Sequence, residues 1–488
     1  MLNARDLIAL LPVLVISATA VVVMLGIAFK RSHVLAAALT LAGLAGAFVS
    51  IFRAVPLAPR QVTSLLLVDR FALFYMGLII ASAFVVAVLS FDYLKNQDIH
   101  HDELYLLLLL ATLGCSVLVA STHFVSFLLG LEILSVSLYA LIAYLKDRSQ
   151  ALEAGIKYLI LASASAAILL FGMALIYADT GTMEFSRLRE VSPEGSSLAL
   201  LAGGVALIVT GIGFKLGVVP FHLWTPDVYE GAPAPVAAFV ATTSKSAMVG
   251  LLVRFAYLSG ALDHRRVFLV FAVIAIASMC AGNLLALWQR NVKRILAYSS
   301  IAHFGYILVG FLAGGAMGIE AVSFYLVAYS LAILAAFGVV TVLSGAERDA
   351  DDIDDYRGLF WQRPLLASVL TVVLLSLSGI PATIGFVSKF YVLAAGAGAS
   401  AWALILILAI TSVAGLFYYL RIVVALYAAP PQHALIQAPL WRAAVVVVAL
   451  AAVLVWAGIY PAPLLRLVRT TAAPRDQQDR SLVTKSNR

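Results

Sequence analysis

Apolar blocks of roughly 17 to 25 residues, the length that crosses a bilayer, recur through this chain between short polar punctuation. They begin near Leu7, Val34, Phe71, Leu104, Phe124, Gly155, Leu198, Ala234, Val267, Ala297, Ala321, Leu365, Trp402 and Ala443, and they predict about 14 membrane-crossing helices. The longest polar linkers, about Asp179 to Ser197 and Ser344 to Arg363, are too short to fold alone. The pattern therefore predicts one integral domain over residues 1–488. It divides into three N-terminal helices (1–100), two five-helix groups (104–259 and 265–428), a last helix (440–462) and a polar tail (463–488). The first apolar run, Leu7 to Phe29, is long enough to span and lacks a strongly basic lead, so it reads as a retained helix rather than a cleaved signal.

Glycine and proline mark where spans are interrupted, and interrupted spans near the midplane often carry the ion site of a transporter. Two segments fit: the seventh block, where Lys215 shortly precedes Pro220, and the twelfth, where Gly379 and Pro381 precede Lys389. They lie five blocks apart, as equivalent members of two five-helix repeats would, spans 4–8 and 9–13. An odd repeat length inverts the second copy. GLLVRFAY from Gly250 faintly echoes GLFYYLRIVVALY from Gly415. The expected fold is an all-α polytopic membrane protein with broken helices 7 and 12.

Four charges sit deep in these blocks: Glu132, Lys215, Lys245 and Lys389. A Lys or Asp at a helix centre costs roughly 2.5 to 3.5 kcal/mol, so each is a functional candidate by default. One acid faces three bases. Desolvation and like-charge repulsion favour a neutral amine, so at least one lysine should lose its proton readily, as a relay requires. The expected arrangement pairs Glu132 with Lys215, and breaking that pair sends a proton to Lys245 and then Lys389. The alternative is structural ion pairs, or lysines snorkelling to the interface. Lys389 would lie near the outer end of a straight span, and only the break at Pro381 brings it deeper.

Weaker candidates to extend the path through bridging water are His222, His303, Tyr325 and Tyr329, with packing as the alternative role. Lys157, near the inner end of span six, either feeds the entrance or anchors its helix. Arg254 and Arg421 read as anchors. The acidic run Glu347 to Asp355 reads as a solvated face or a partner contact rather than a metal site.

Composition fixes the class. The chain of 488 residues is 63% hydrophobic and 12% charged, with a mean hydropathy of +1.03, against about 25% charged in soluble domains. Its net charge of +7 follows from basic residues flanking spans rather than from a nucleic-acid surface. With both termini outside, the inner loops hold Lys30, Arg31, Lys95, Lys146, Arg148, Arg290, Lys293 and Arg294 among others. The outer loops hold Arg53, Arg60, Arg70, Arg187, Arg189, Arg265, Arg266 and a basic tail, so the bias is modest. Cys115 and Cys280 each stand alone, the histidines show no metal-ligand spacing, and Gly211, Gly213 and Gly217 lie in an apolar helix rather than after a strand. No cofactor or metal is expected in this chain.

FKLGVVPFHLWTPDVYEGAPAPVAAFVATTSKSA (Phe214 to Ala247) and NLLALWQRNVKRILAYSSIAHFGYIL (Asn283 to Leu308) resemble the antiporter-like membrane subunits of proton-pumping NADH:quinone oxidoreductase, respiratory complex I. The resemblance covers nearly the whole chain. It is nearest to the branch with a lysine in span twelve and no long lateral helix. It implies a multi-pass subunit of a bacterial plasma (inner) membrane that translocates protons, with Glu132, Lys215, Lys245 and Lys389 as the key residues and Lys157, His222 and His303 as weaker transfers. It further implies partners among the other membrane subunits of complex I, and FMN, iron–sulfur clusters and quinone in those partners. A multisubunit sodium/proton antiporter, an energy-converting membrane hydrogenase and a purely structural scaffold are the competing readings.

Overall fold

Long apolar runs without a helix-breaking residue become helices because a lipid-facing backbone must satisfy its polar groups internally. A computed structural model describes residues 3–95, 101–190, 197–430 and 441–472, and thirteen of its helices are long and apolar enough to cross a membrane. Spans one to four are Leu11–Phe29, His33–Leu57, Arg70–Lys95 and Asp102–Ala120. Spans five and six are Phe124–Ile142 and Ser149–Thr180, and span seven is Leu198–Leu216 continued by Trp224–Gly231. Spans eight to eleven are Ala234–Ser259, Arg265–Leu287, Val292–Ala313 and Gly315–Leu343, and thirteen and fourteen are Trp402–Tyr427 and Trp441–Ile459. Span twelve is two shorter apolar helices, Pro364–Ser378 and Ile384–Gly398. The described residues thus form an almost wholly helical membrane protein with fourteen spans, the seventh and twelfth broken.

Three features lie outside the expected pattern. A short helix, Ala4–Ala9, precedes span one and is capped by Asn3. The strands Arg60–Val62 and Leu66–Val68 form an antiparallel hairpin between spans two and three. Residues 462–472, within the stretch expected to be a polar tail, are helical and bury Val468 and Thr471. The remainder of the expected basic tail, 473–488, lies outside the described residues.

The two five-helix repeats share one register. His123, which caps span five, bridges to Glu184, and Asn291, which caps span ten, bridges to Asp352 at the same spacing. The offset that carries His123 onto Asn291 also carries Gly114 onto Gly282. A methyl at Gly114 would lie 2.6 Å from the Leu134 nitrogen and 2.7 Å from the Gly130 oxygen. One at Gly282 would lie 2.6 Å from the Ala302 nitrogen and 2.7 Å from the Tyr298 oxygen. Both glycines let neighbouring helices touch backbone to backbone. Spans eight, ten and eleven are almost entirely buried at the centre, whereas spans one, six, thirteen and fourteen turn much of their surface outward.

Candidate functional site

Each break begins at a glycine with a left-handed backbone. Gly217 ends the first half of span seven at φ 68°, and Gly379 ends the first half of span twelve at φ 87°. Orphaned helix-end groups find local partners, as buried backbone must. Trp224 Nε1 donates to the Phe214 carbonyl at 2.8 Å, and Gly385 N donates to Ser376 Oγ at 3.2 Å. A third irregularity was not anticipated: span eight widens into a π-turn over Val240–Ser244, immediately before Lys245. Such single wide turns are frequent at functional sites. The hydroxyl run Thr242, Thr243, Ser244 was its only sequence signal.

The structure corrects which lysine belongs to which break. A methyl at Gly217 would lie 3.3 Å from Lys245 Nζ, and one at Gly379 would lie 3.3 Å from Lys389 Nζ. The ammonium seated at the span-seven break therefore comes from span eight. Lys215 lies in the last turn before that break and points to span five, where its Nζ donates to Ser135 Oγ at 2.7 Å. Among the described residues Glu132 and Lys215 form no ion pair within 4.0 Å. Glu132 Oε1 is buried without a hydrogen-bond partner, while Ser135, one turn further along the same helix, takes the ammonium instead.

Lys245 is wholly buried and donates to Ser300 Oγ of span ten at 2.9 Å. Tyr329 donates to the same oxygen at 2.7 Å, and the Tyr229 hydroxyl lies 3.3 Å away. Lys389 reaches back across its break to the Ser378 carbonyl at 2.9 Å and to Ser412 Oγ at 2.7 Å. The break does bring it inward, and it is buried. Each ammonium also stands over aromatic rings: Lys215 is 5.4 Å from Tyr158, Lys245 4.7 Å from Phe304, and Lys389 5.4 Å from Tyr306. Ring faces stabilise a cation where water is absent.

His303 joins the two halves of this array. Its Nδ1 is 2.7 Å from the Tyr325 hydroxyl and its Nε2 is 3.2 Å from that of Tyr419, which in turn bonds Ser299. A cavity of about 10 Å³ is lined by His303, Tyr325, Tyr329, Ser376, Ser388 and Lys389, about the room one water occupies. Tyr325 and Tyr329 are therefore hydrogen-bonded members of the array rather than packing residues alone. A polar row runs from Glu132 and Ser135 through Lys215, Lys245, Ser300 and His303 to Lys389 and Ser412, with hydrogen bonds within its parts but gaps after Glu132, between Lys215 and Lys245, between Ser300 and His303, and at the cavity.

Two weaker candidates stand off the row. His222 is half-buried at the span-seven break, its Nδ1 without a partner. Lys157 is half-exposed and pairs with Glu153 at 2.7 Å and with Asp227 at 2.9 Å. Sequence reasoning missed Ser135, Ser300, Tyr229, Tyr419 and Ser412. Two carry a signal in hindsight: the register that aligns the repeats carries Glu132 onto Ser300 and Ser135 onto His303, so the same i, i+3 pair of positions is polar in both halves.

Three further expectations need correction. Arg254 is no interfacial anchor: it is buried, with two hydrogen bonds to Asp69 at 2.7 and 3.1 Å and one to the Val119 carbonyl at 2.9 Å. Arg421 caps the end of span nine by donating to the Leu287 and Gln289 carbonyls. The acidic run is not wholly solvated, because Asp349 is buried between Lys293 at 2.7 Å, Arg148 at 3.1 Å and Tyr93 at 2.6 Å. Burial alone would push its carboxyl up, but the Lys293 ammonium, the two donated bonds and Arg148 outweigh that and hold it below the ordinary carboxylate value. No grouping of His, Cys, Asp and Glu suited to a metal ion occurs among the described residues.

Residues 121–415 match the family model described as NADH:quinone oxidoreductase/Mrp antiporter, TM. A curated relative from Ectopseudomonas mendocina (strain ymp), named NADH-quinone oxidoreductase subunit N, is 48% identical over 481 residues, 96% of this chain and 97% of the relative. A chain of respiratory complex I from Thermus thermophilus with bound aureothin superposes with TM-score 0.80 at 33% identity, covering 94% of this chain and 99% of that one. A chain of the Mrp complex from a Dietzia species superposes with TM-score 0.84 at 20% identity, covering 97% of each chain. The last likeness shows a shared fold.

Proposed function

Because the chain belongs to the NADH:quinone oxidoreductase/Mrp antiporter membrane family, we propose that it is the proton-translocating subunit N of an NADH:quinone oxidoreductase in a bacterial plasma membrane. The observation that carries the mechanism is the row of buried lysines, each held by a hydroxyl and an aromatic face. The relative of that name matches nearly the whole chain at 48% identity, whereas the superposed chain of the Dietzia Mrp complex is 20% identical.

Protons move along groups that both donate and accept. Glu132 approaches Lys215 past Ser135 and stabilises its ammonium; when the acid withdraws, the proton is passed towards Lys245. Ser300 and Tyr329 carry it from Lys245 to His303, and a water in the cavity carries it on to Lys389. Ser412 and the Ser378 carbonyl hold the ammonium there until release. Electron transfer from NADH to quinone in partner subunits, through the FMN and iron–sulfur clusters they would hold, would supply the energy, and neighbouring membrane subunits would pass it to this chain.

The first test is to tag the chain, extract it gently from its native membrane and ask whether NADH:quinone reductase activity and iron–sulfur signals co-purify. Hydrophobic partners alone, with cation-dependent proton exchange after reconstitution, would favour an antiporter. In the assembled complex Glu132→Gln is expected to leave assembly intact and impair coupled pumping. Unchanged pumping in Lys215→Met, Lys245→Met and Lys389→Met would instead point to a scaffold.

A further inference from the structure

The second half of span seven, Trp224–Gly231, is held by charges from two other elements, spans six and ten. On its side, Asp227 takes Lys157 of span six at 2.9 Å and Arg294 of span ten at 2.9 Å, and Glu230 takes Arg294 at 2.6 Å. At its end, Lys293 donates at 2.7 Å to the carbonyl of Ala232, the residue that caps the half-helix. A cation on the terminal carbonyls is the favourable sign for a helix C-terminus. Lys293 is itself almost completely buried, and its carboxylate partner is Asp349, from the loop between spans eleven and twelve.

Asp349 spends its other oxygen on Tyr93 of span three and on Arg148 of the loop between spans five and six. Its loop leads through the short helices Ile353–Tyr356 and Leu359–Gln362 into Pro364–Ser378, the first half of span twelve. A second tie runs in parallel, with Asn291 Nδ2 donating to Asp351 at 2.7 Å and Glu230 at 3.1 Å. Two members of the half-helix meet the relay directly: Tyr229 contacts Ser300, and the Trp224 ring lies 5.9 Å from Lys245 Nζ.

We propose that Asp349 is a positioning residue for the relay: acting through Lys293, it fixes where the second half of span seven stands against Lys245 and Ser300, and so links that break to the loop leading into span twelve. The proposal rests on the relay reading above. Removing the carboxylate charge takes from the buried Lys293 and from Arg148 the acid they share, a situation far costlier than the intact cluster, and loosens the end of the half-helix first.

The test is hydrogen–deuterium exchange on the intact solubilised complex, paired with proton pumping per NADH after reconstitution. In Asp349→Asn, amides of Trp224–Ala232 are expected to exchange about tenfold faster while spans thirteen and fourteen are unchanged, and pumping per NADH is expected to fall. Asp349→Glu restores both. Tyr93→Phe, which keeps every charge, gives a smaller change of the same kind and serves if the Asn variant does not assemble. Unaltered exchange at Trp224–Ala232 overturns the proposal, as does acceleration spread evenly over the bundle, or localised acceleration with normal pumping. Lys245→Met in the same complex separates the causes: if it too pumps normally, the relay has failed rather than the positioning.

Discussion

Ser300 accepts from Lys245 and Tyr329 and contacts Tyr229, so three buried groups depend on one hydroxyl. A buried donor left without its acceptor costs about 1 to 3 kcal/mol. Ser300→Ala is therefore expected to lower stability by about that amount and to cut proton transfer while NADH oxidation by the rest of the complex persists, with Ser300→Thr largely intact; vesicle acidification per NADH measures it. At Gly217 two effects coincide. The left-handed backbone costs an L-residue about 1 to 2 kcal/mol, and a methyl there would meet Thr225 Oγ1 at 2.4 Å beside Lys245 Nζ. Gly217→Ala should accordingly destabilise the chain and disturb Lys245 together, read as a lower unfolding temperature with reduced pumping. The lysines are visible in the sequence, whereas Gly217 reads there as a packing glycine and the break as lying at Pro220. The pairing of lysine with break is not visible, because the break at Gly217 is filled by a side chain from the next span, and reach across helices leaves no mark on either segment alone.

Elements here are secured at their ends. At the C-terminal end of span eight, Arg254 holds Asp69, which also caps span three by accepting from Ala72 N at 2.7 Å. Breaking one partner of such a buried pair costs about 3 to 5 kcal/mol. Arg254→Met is expected to show that loss as a thermal shift, and adding Asp69→Asn should recover part of it by removing the stranded charge. At the opposite end of the bundle, where span three finishes and span ten starts, the Asp349 cluster has a definite pH signature. Its carboxyl is held below the ordinary value of about 3.9, so the stability it adds is fully present above that value and is lost as pH falls through the lower folded one. The gap in unfolding temperature between the wild-type chain and Asp349→Asn should be full at pH 7 and close progressively below about pH 4. Helix starts and the breaks near Pro220 and at Gly379 could be read from the chain, although Gly217, which reads as a packing glycine, is where the first break begins. The buried Asp349 could not, because a run of acids looks solvated wherever its cationic partners are distant in sequence.

Across the whole molecule, hydropathy alone was enough for fourteen spans, and glycine with proline located the interruptions in spans seven and twelve. The repeat was faint in residue identity yet sharp in register: capping bridges at His123 and Asn291, and close approaches at Gly114 and Gly282, follow a single offset. Small residues and caps preserve geometry while the residues between them diverge, which is why matching letters revealed so little of it. That register also pairs Glu132 with Ser300 and Ser135 with His303. Two identical inverted halves would make a conductor with no preferred sense, the same seen from either end. With an acid kept in one half and a hydroxyl in the other, the row acquires a polarity: a positive charge resting on it is drawn towards span five, and carrying it to span thirteen is uphill. The duplicated fold thus offers a moving charge two unlike halves, and energy supplied from outside the chain can then carry it from the one to the other.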